Sequence, residues 1–168
     1  ALEAETLAGH VASRPDEARI QLRLAELHLR LGQDKEAADR LKRAQSLIEG
    51  LDSPVLEAEL GRIGAEQALG SGDTTLALRR ARAAVDAGQR AHNALAQAFA
   101  DRTLALALRA AGESPEEATQ RFAEAVRKFE GLDAELELKR TRDLEAVDAS
   151  DMRRSRRATP PPLPPIRR

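Results

Sequence analysis

The residues that could do chemistry in this chain are few, and their spacing points away from catalysis. Its three histidines are His10, His28 and His92. None has a partner at metal-ligand spacing, and no H-E-x-x-H presents two imidazoles on one helical face. His28 lies on the side of Leu24 and Leu31, so a packed core histidine is the expected reading. There is no cysteine, so neither a disulfide framework nor a thiolate metal site can form. "GSGDTT" (Gly70 to Thr75) has the close glycines of a phosphate loop but no strand before it and no Lys, and reads as a turn between helices. Acid pairs such as Glu116 and Glu117 fall in a helix first turn, where they complement the positive end of the helix dipole. No catalytic residue, metal ligand or cofactor site follows, and the chain is expected not to be an enzyme.

The C-terminal stretch "DASDMRRSRRATPPPLPPIRR" carries a different chemistry, that of a ligand. Six Arg against two Asp give it +4, which leaves −5 on residues 1–147 of a chain whose net charge is −1. Its five prolines oppose helix and favour polyproline II. "PLPPIR" fits P-x-x-P-x-R, with Pro162 and Pro165 filling pockets of an SH3-like or other polyproline-binding domain and Arg167 meeting an acid. "RRAT" places Thr159 as an Arg-directed phosphosite. The plain alternative is a solvated terminus, and a third option is that the basic tail folds back on the acidic body.

Composition narrows the rest. The chain has 168 residues, 33% of them charged and only 2% aromatic, which suits one helical domain and disfavours a polybasic or base-stacking nucleic-acid binder. No apolar run approaches the ~18 residues of a membrane span, and residues 1–20 lack a signal-peptide core. The absence of Cys fits a reducing compartment, so a cytoplasmic location is expected. The first residue is Ala1, and the sequence reads as a piece of a longer protein.

The elements that position these residues recur. Gly32, Gly72 and Gly112 lie forty apart. Ala25, Ala65 and Ala105 precede them at a fixed offset, and Ala37, Ala77 and (one residue late) Ala118 follow. Leu41, Ala81 and Phe122 come next, then Ala44, Ala84 and Ala125. Each unit reads as two helices. Ser13 ahead of Pro15, Ser53 before Pro54, and a Ser114/Glu117 capping box mark helix starts. Leu24, Leu27 and Leu31 mark one face of the first helix, and Gly50, Gly88 and Gly131 fall where second helices should stop. The spacing predicts helices over 15–31, 34–49, 54–70, 74–87, 91–111, 115–130 and 132–149. Gly61 and Gly64 cost unit two ~1 kcal/mol each against Ala, and close packing is preferred to a hinge as their reason.

A small residue midway in the first helix, a turn Gly, an Ala, a bulky apolar residue and another Ala resemble the tetratricopeptide repeat. The likeness spans about 15–131, as repeats 15–52, 53–91 and 92–131, with a partial repeat 1–14 before them, a capping helix 132–149 and the tail 150–168 after. The forty-residue period exceeds the family's usual thirty-four, as in modules of larger bacterial signalling proteins. The resemblance implies an all-α, right-handed solenoid acting as a protein–protein interaction scaffold whose first helices line a groove for a peptide or partner helix. Carried over by repeat position, the groove residues are Arg19, Leu22, Arg23, Glu26 and Arg30, then Glu59, Arg62 and Glu66, then Phe99, Arg102, Leu106 and Arg109. Arg62 and Arg102 should stack along one wall, and their planar forks suit an acidic ligand. Exchanging both for Glu should abolish binding and leave helicity intact. A clamp for a C-terminal carboxylate would need Asn on the first helices, and Asn93 is the only Asn. Two rivals remain: a regulatory segment of a kinase or transcription regulator whose tail is ligand or phosphosite, and nucleic-acid binding through the tail, which would fall steeply with salt.

Overall fold

A computed structural model describes residues 13–157, with side chains from Ser13 to Ala146. The expectations for residues 1–12 and for Thr159, Pro162, Pro165 and Arg167 lie outside the described residues. Among the described residues there are seven α-helices and no strand: α1 (Arg14–Arg30), α2 (Asp34–Ile48), α3 (Pro54–Gly70), α4 (Thr74–Arg90), α5 (Ala94–Ala111), α6 (Pro115–Gly131) and α7 (Glu135–Arg157). Each packs on its chain neighbours, and α1–α3 and α3–α5 also touch across one hairpin. The result is a stack of antiparallel hairpins in which first helices meet first helices.

The forty-residue glycines close the hairpins. Gly32, Gly72 and Gly112 take φ of +69°, +78° and +68°, a left-handed conformation that a side chain disfavours. The next N–H then reaches back five residues, Gln33 to His28 O at 2.9 Å, Asp73 to Ala68 O at 2.9 Å and Glu113 to Leu108 O at 3.0 Å, which satisfies carbonyls the helix end would orphan. The repeated alanines are the packing surface: Ala25, Ala65, Ala105, Ala37, Ala77, Ala44, Ala84 and Ala125 are wholly buried and Ala118 nearly so. Small side chains let helix axes approach at the short end of the ~8–10 Å range.

Several sequence expectations are corrected. Gly88 does not stop a helix; α4 runs on to Arg90, with Gly88 buried where a Cβ would stand 3.4 Å from Gln97 Cα. The left-handed turn residue there is His92 (φ +49°); α6 does stop at Gly131, with Asp133 (φ +52°) as the left-handed residue beyond it. Consequently α5 starts at Ala94, capped by Asn93 Oδ1 accepting from Ala96 N at 2.9 Å. The Ser114 capping box does not form, because Ser114 is itself left-handed (φ +40°) and makes no cap bond; a capping side chain needs an extended N-cap backbone. The last helix extends to Arg157, past the boundary expected at 149. Leu27 and Leu31 are 51% and 62% exposed, so the packed face of α1 is Ala18, Gln21, Leu22 and Ala25. His28 is half-buried rather than core, its Nδ1 2.7 Å from Gln33 Oε1 across the turn.

One side chain ties each hairpin and recurs in register. Arg40, Arg80 and, one residue late, Arg121 reach from the second helix to the first. Arg40 donates to Gln21 Oε1 at 3.2 Å, Arg80 to Gly64 O at 2.8 Å and Gln67 Oε1 at 3.0 Å, and Arg121 to Asp101 Oδ1 at 3.0 Å. The glycines of unit two are close-packing residues: a Cβ on Gly61 would lie 3.0 Å from both Ala84 Cβ and Arg80 O.

Candidate partner-binding groove

The four first helices, α1, α3, α5 and α7, share one cavity of ≈300 Å³. Its floor is Phe99, from the middle of the first turns of α5. The guanidinium carbons of Arg62 and Arg102 lie 5.2 and 5.1 Å from the Phe99 ring centroid, and Phe129 meets Phe99 edge-to-face at 5.2 Å. Cation–π stacking of this kind strengthens as the cation loses water. Arg62 and Arg102 therefore do stand along one wall, as their spacing implies, but their side chains are only 7% and 8% exposed.

Both are neutralised within the chain. Arg62 Nη1 donates to Glu66 Oε1 at 2.9 Å and reaches Glu26 Oε1 at 3.5 Å. Arg102 Nη1 donates to Glu137 Oε2 at 2.6 Å and to Thr141 Oγ1 at 3.3 Å. Burial acts to lower the Arg62 pKa, but Glu66, Glu26 and Glu59 outweigh it and hold the pKa above the ordinary arginine value. For Glu26, burial acts to raise the pKa, and Arg62, Arg30 and Arg23 together pull it below the usual carboxylate range. An exchange of Arg62 and Arg102 for Glu is thus a change to buried residues as well as to the groove.

The cations a ligand can reach are on the rim. Arg23, Arg30 and Arg140 are each more than half exposed. Arg23 bridges Glu26 at 3.1 Å and Glu59 at 3.0 Å, Arg30 holds Glu26 at 3.1 Å, and Arg140 stands 3.7 Å from Glu137. The cavity wall carries five arginines against three glutamates, so it is positive while residues 1–147 are negative overall. One carboxylate oxygen, Glu59 Oε2, is buried and accepts no hydrogen bond.

The other expected residues are dispersed. Leu106 and Glu66 border a second hollow of ≈290 Å³ further along the same first helices. Leu22 is core rather than groove. Arg19 pairs with Asp16 at 3.3 Å in the first turns of α1, outside the cavity lining, and Arg109 lies 4.1 Å over the Phe122 ring of α6. The repeat pattern left out Glu137 and Arg140 of α7, and the aliphatic pair Val55 and Leu95 beside Phe99. A usable signal for the last two existed, since each is the second residue of a first helix, forty apart. Among the described residues no group of three or more His, Cys, Asp or Glu could hold a metal ion, and no helix is long and apolar enough to cross a membrane. No protein-family model, curated protein or solved structure matches the chain.

Proposed function

We propose that the chain is a right-handed solenoid of tetratricopeptide-like hairpins that binds a segment of a partner protein across its first helices and catalyses nothing itself. The resemblance of the repeats supports the hand and the family. The observation that carries the binding role is the cavity shared by α1, α3, α5 and α7, with half-buried Phe99 at its floor and exposed arginines at its rim. Recognition of acids then falls to Arg23, Arg30 and Arg140, whose forks are partly solvated, and not to Arg62 and Arg102, which are committed to Glu66 and Glu137. Half-buried Val55 and exposed Leu95, both lining the cavity, supply the apolar share that a peptide site requires.

The test is panning of a displayed random-peptide library on the full chain, followed by titration of the enriched peptides. Arg30→Glu with Arg140→Glu should weaken them about tenfold or more with the far-ultraviolet circular dichroism unchanged, while Lys42→Glu, away from the groove, should not. Absence of enrichment, or binding indifferent to the rim pair, would remove the groove from the proposal.

A further inference from the structure

One face of α3 serves the groove, and the opposite face floors a second cavity. Val55, Ala58, Glu59 and Arg62 line the groove. Glu57, Leu60, Gly61 and Gly64 stand two residues further on in turn and line a cleft of ≈430 Å³. Two residues are ~200° of rotation in a helix of ~3.6 residues per turn. The walls of the cleft come from α2 and α4, both packed on α3. Its volume falls within the ~300–1,000 Å³ of small-molecule sites.

The α4 wall carries an arginine that lacks the partner its counterparts have. Residues 21, 61 and 101 are equivalent, and the arginine of each second helix reaches toward that position. Arg40 meets Gln21 there, and Arg121 meets Asp101, whose carboxylate Lys128 also contacts. Arg80 meets Gly61, which has no side chain to offer. It bonds instead to Gly64 O and Gln67 Oε1, both through Nη1, and among the described residues its Nε and Nη2 donate to nothing. Burial, with Arg79 adding and Asp73 opposing, disfavours its charge, so an anion beside it would gain. Lys42 of α2 lines the same cleft, exposed and without an ion pair among the described residues. Glu57, the acid of the lining, is taken by Arg90 at 2.5 Å. Thus α5–α6 holds a carboxylate between an arginine and a lysine, and the cleft over α3 presents an arginine and a lysine without one.

The remaining lining sets the body of a ligand. Leu41 and Leu60, with Ala38 and Ala83, are aliphatic. From Gly64, whose carbonyl Arg80 holds, to Glu57 is seven residues, ~10 Å along α3 at ~1.5 Å each. A carboxylate on Arg80 therefore has a short apolar run before its far end meets an acid, where a second carboxylate would be repelled. We propose that the cleft between α2 and α4 binds a monocarboxylate with a short aliphatic body, gripped by the fork of Arg80 with Lys42 as second cation. The guanidinium donates two parallel hydrogen bonds, and the aliphatic body covers Leu41 and Leu60. The cleft lies on the face of α3 turned from the groove, so the inference is independent of peptide binding there.

The test is an amide NMR titration of the full chain with hexanoate and, as its neutral counterpart, hexanamide. Hexanoate should shift the amide signals of Gly61, Gly64 and Arg80 and leave that of Phe99 in place, and hexanamide should bind about tenfold more weakly. Lys42→Ala, an exposed change, should weaken hexanoate severalfold. Arg80→Gln should weaken it about tenfold or more, but also alters the bond to Gly64 O. Ala83→Glu decides where that variant fails to fold: it is exposed, stands one turn from Arg80 on α4, and supplies an internal carboxylate. It should weaken hexanoate about tenfold or more with the circular dichroism unchanged. Hexanoate that leaves the two glycines unshifted, that binds no better than hexanamide, or that is indifferent to Ala83→Glu overturns the inference.

Discussion

The hairpins α3–α4 and α5–α6 solve one problem in opposite ways. At equivalent positions of their first helices stand Gly61 and Asp101, each facing an arginine of the second helix. Gly61 has no side chain, and α4 closes until Ala84 and the Arg80 carbonyl occupy the space a Cβ would take. Asp101 is buried, and Arg121 and Lys128 come in over its carboxylate. In α3–α4 no carboxylate is hydrogen-bonded to Arg80 among the described residues; burial, with Arg79 adding and Asp73 opposing, lowers its pKa, and it bonds instead to Gly64 O and a glutamine. One hairpin is held by shape and the other by charge, so they should fail under different perturbations.

The largest effect is expected where the two hairpins share a device, the buried arginine on the groove side. Arg62→Glu would set a fourth carboxylate among Glu26, Glu59 and Glu66 and remove the cation from Phe99. Breaking a buried pair in this way costs ~3–5 kcal/mol, so the variant should lose most of its unfolding free energy in urea. Arg62→Met, apolar and of similar length, strands the same three carboxylates but adds none, so it should cost less than Arg62→Glu. Equal losses for Glu and Met would mean that the fourth carboxylate does not decide the stability of the floor.

The comparison itself breaks at Gly61 and Asp101. Gly61→Val has backbone atoms at 3.0 Å and 3.1 Å against its Cβ, with nothing free to move aside, and should cost about 3 kcal/mol or more. Asp101→Asn keeps the shape and removes the charge, so about 2 kcal/mol is expected, chiefly from Lys128, since Arg121 keeps Glu117 and Glu124 at 3.7 Å. High salt separates the two. The loss in Asp101→Asn should shrink because its partner cations are partly exposed, and the loss in Gly61→Val should not. Denaturation series in low and 1 M salt measure both.

The sequence exposed the repeat because packing reuses the same position in every hairpin. Gly32, Gly72 and Gly112 at the turns and the buried alanines share the forty-residue period, with Ala118 and Ala125 one residue late. What it hid were contacts that relate neighbouring hairpins. Arg62 meets Glu26 and Arg23 meets Glu59 across thirty-six residues, and Arg102 meets Glu137 across thirty-five. Adjacent first helices are offset by about one turn, so a pairing search at the period less four would have found them, whereas the period itself aligned arginine with arginine. Likewise Gly88 looked like a helix stop because glycine serves both helix ends and close approach. Only the position of Gln97 tells which.

A smaller effect is the response of the groove side to acid. The folded Glu26 carboxyl titrates below its unfolded value because Arg62, Arg30 and Arg23 outweigh its burial. Its contribution is therefore complete above the unfolded glutamate pKa of ~4.3 and is lost as pH falls through the lower folded value. Melting temperature should decline as the pH falls below the unfolded glutamate value of ~4.3, and Glu26→Gln should flatten that decline while lowering the plateau near neutrality. Parallel curves for the two proteins would place the acid sensitivity elsewhere.

The smallest expected effect is the most discriminating, because it separates the two glycines of α3. A Cβ on Gly64 would meet Arg80 Cδ at 3.1 Å and Nε at 3.3 Å, atoms of a side chain that can shift by the few tenths of an ångström required. Against that stands the ~1 kcal/mol by which Ala exceeds Gly in a helix interior. Gly64→Ala should accordingly lie within about 0.5 kcal/mol of the parent, and Arg80→Ala with Gly64→Ala should recover the full helix gain relative to Arg80→Ala alone. If Gly64→Ala instead costs as much as Gly61→Val, then Arg80 is as fixed as backbone, and the bond from Arg80 to Gly64 O, more than the bare approach of the helices, sets the spacing of this hairpin.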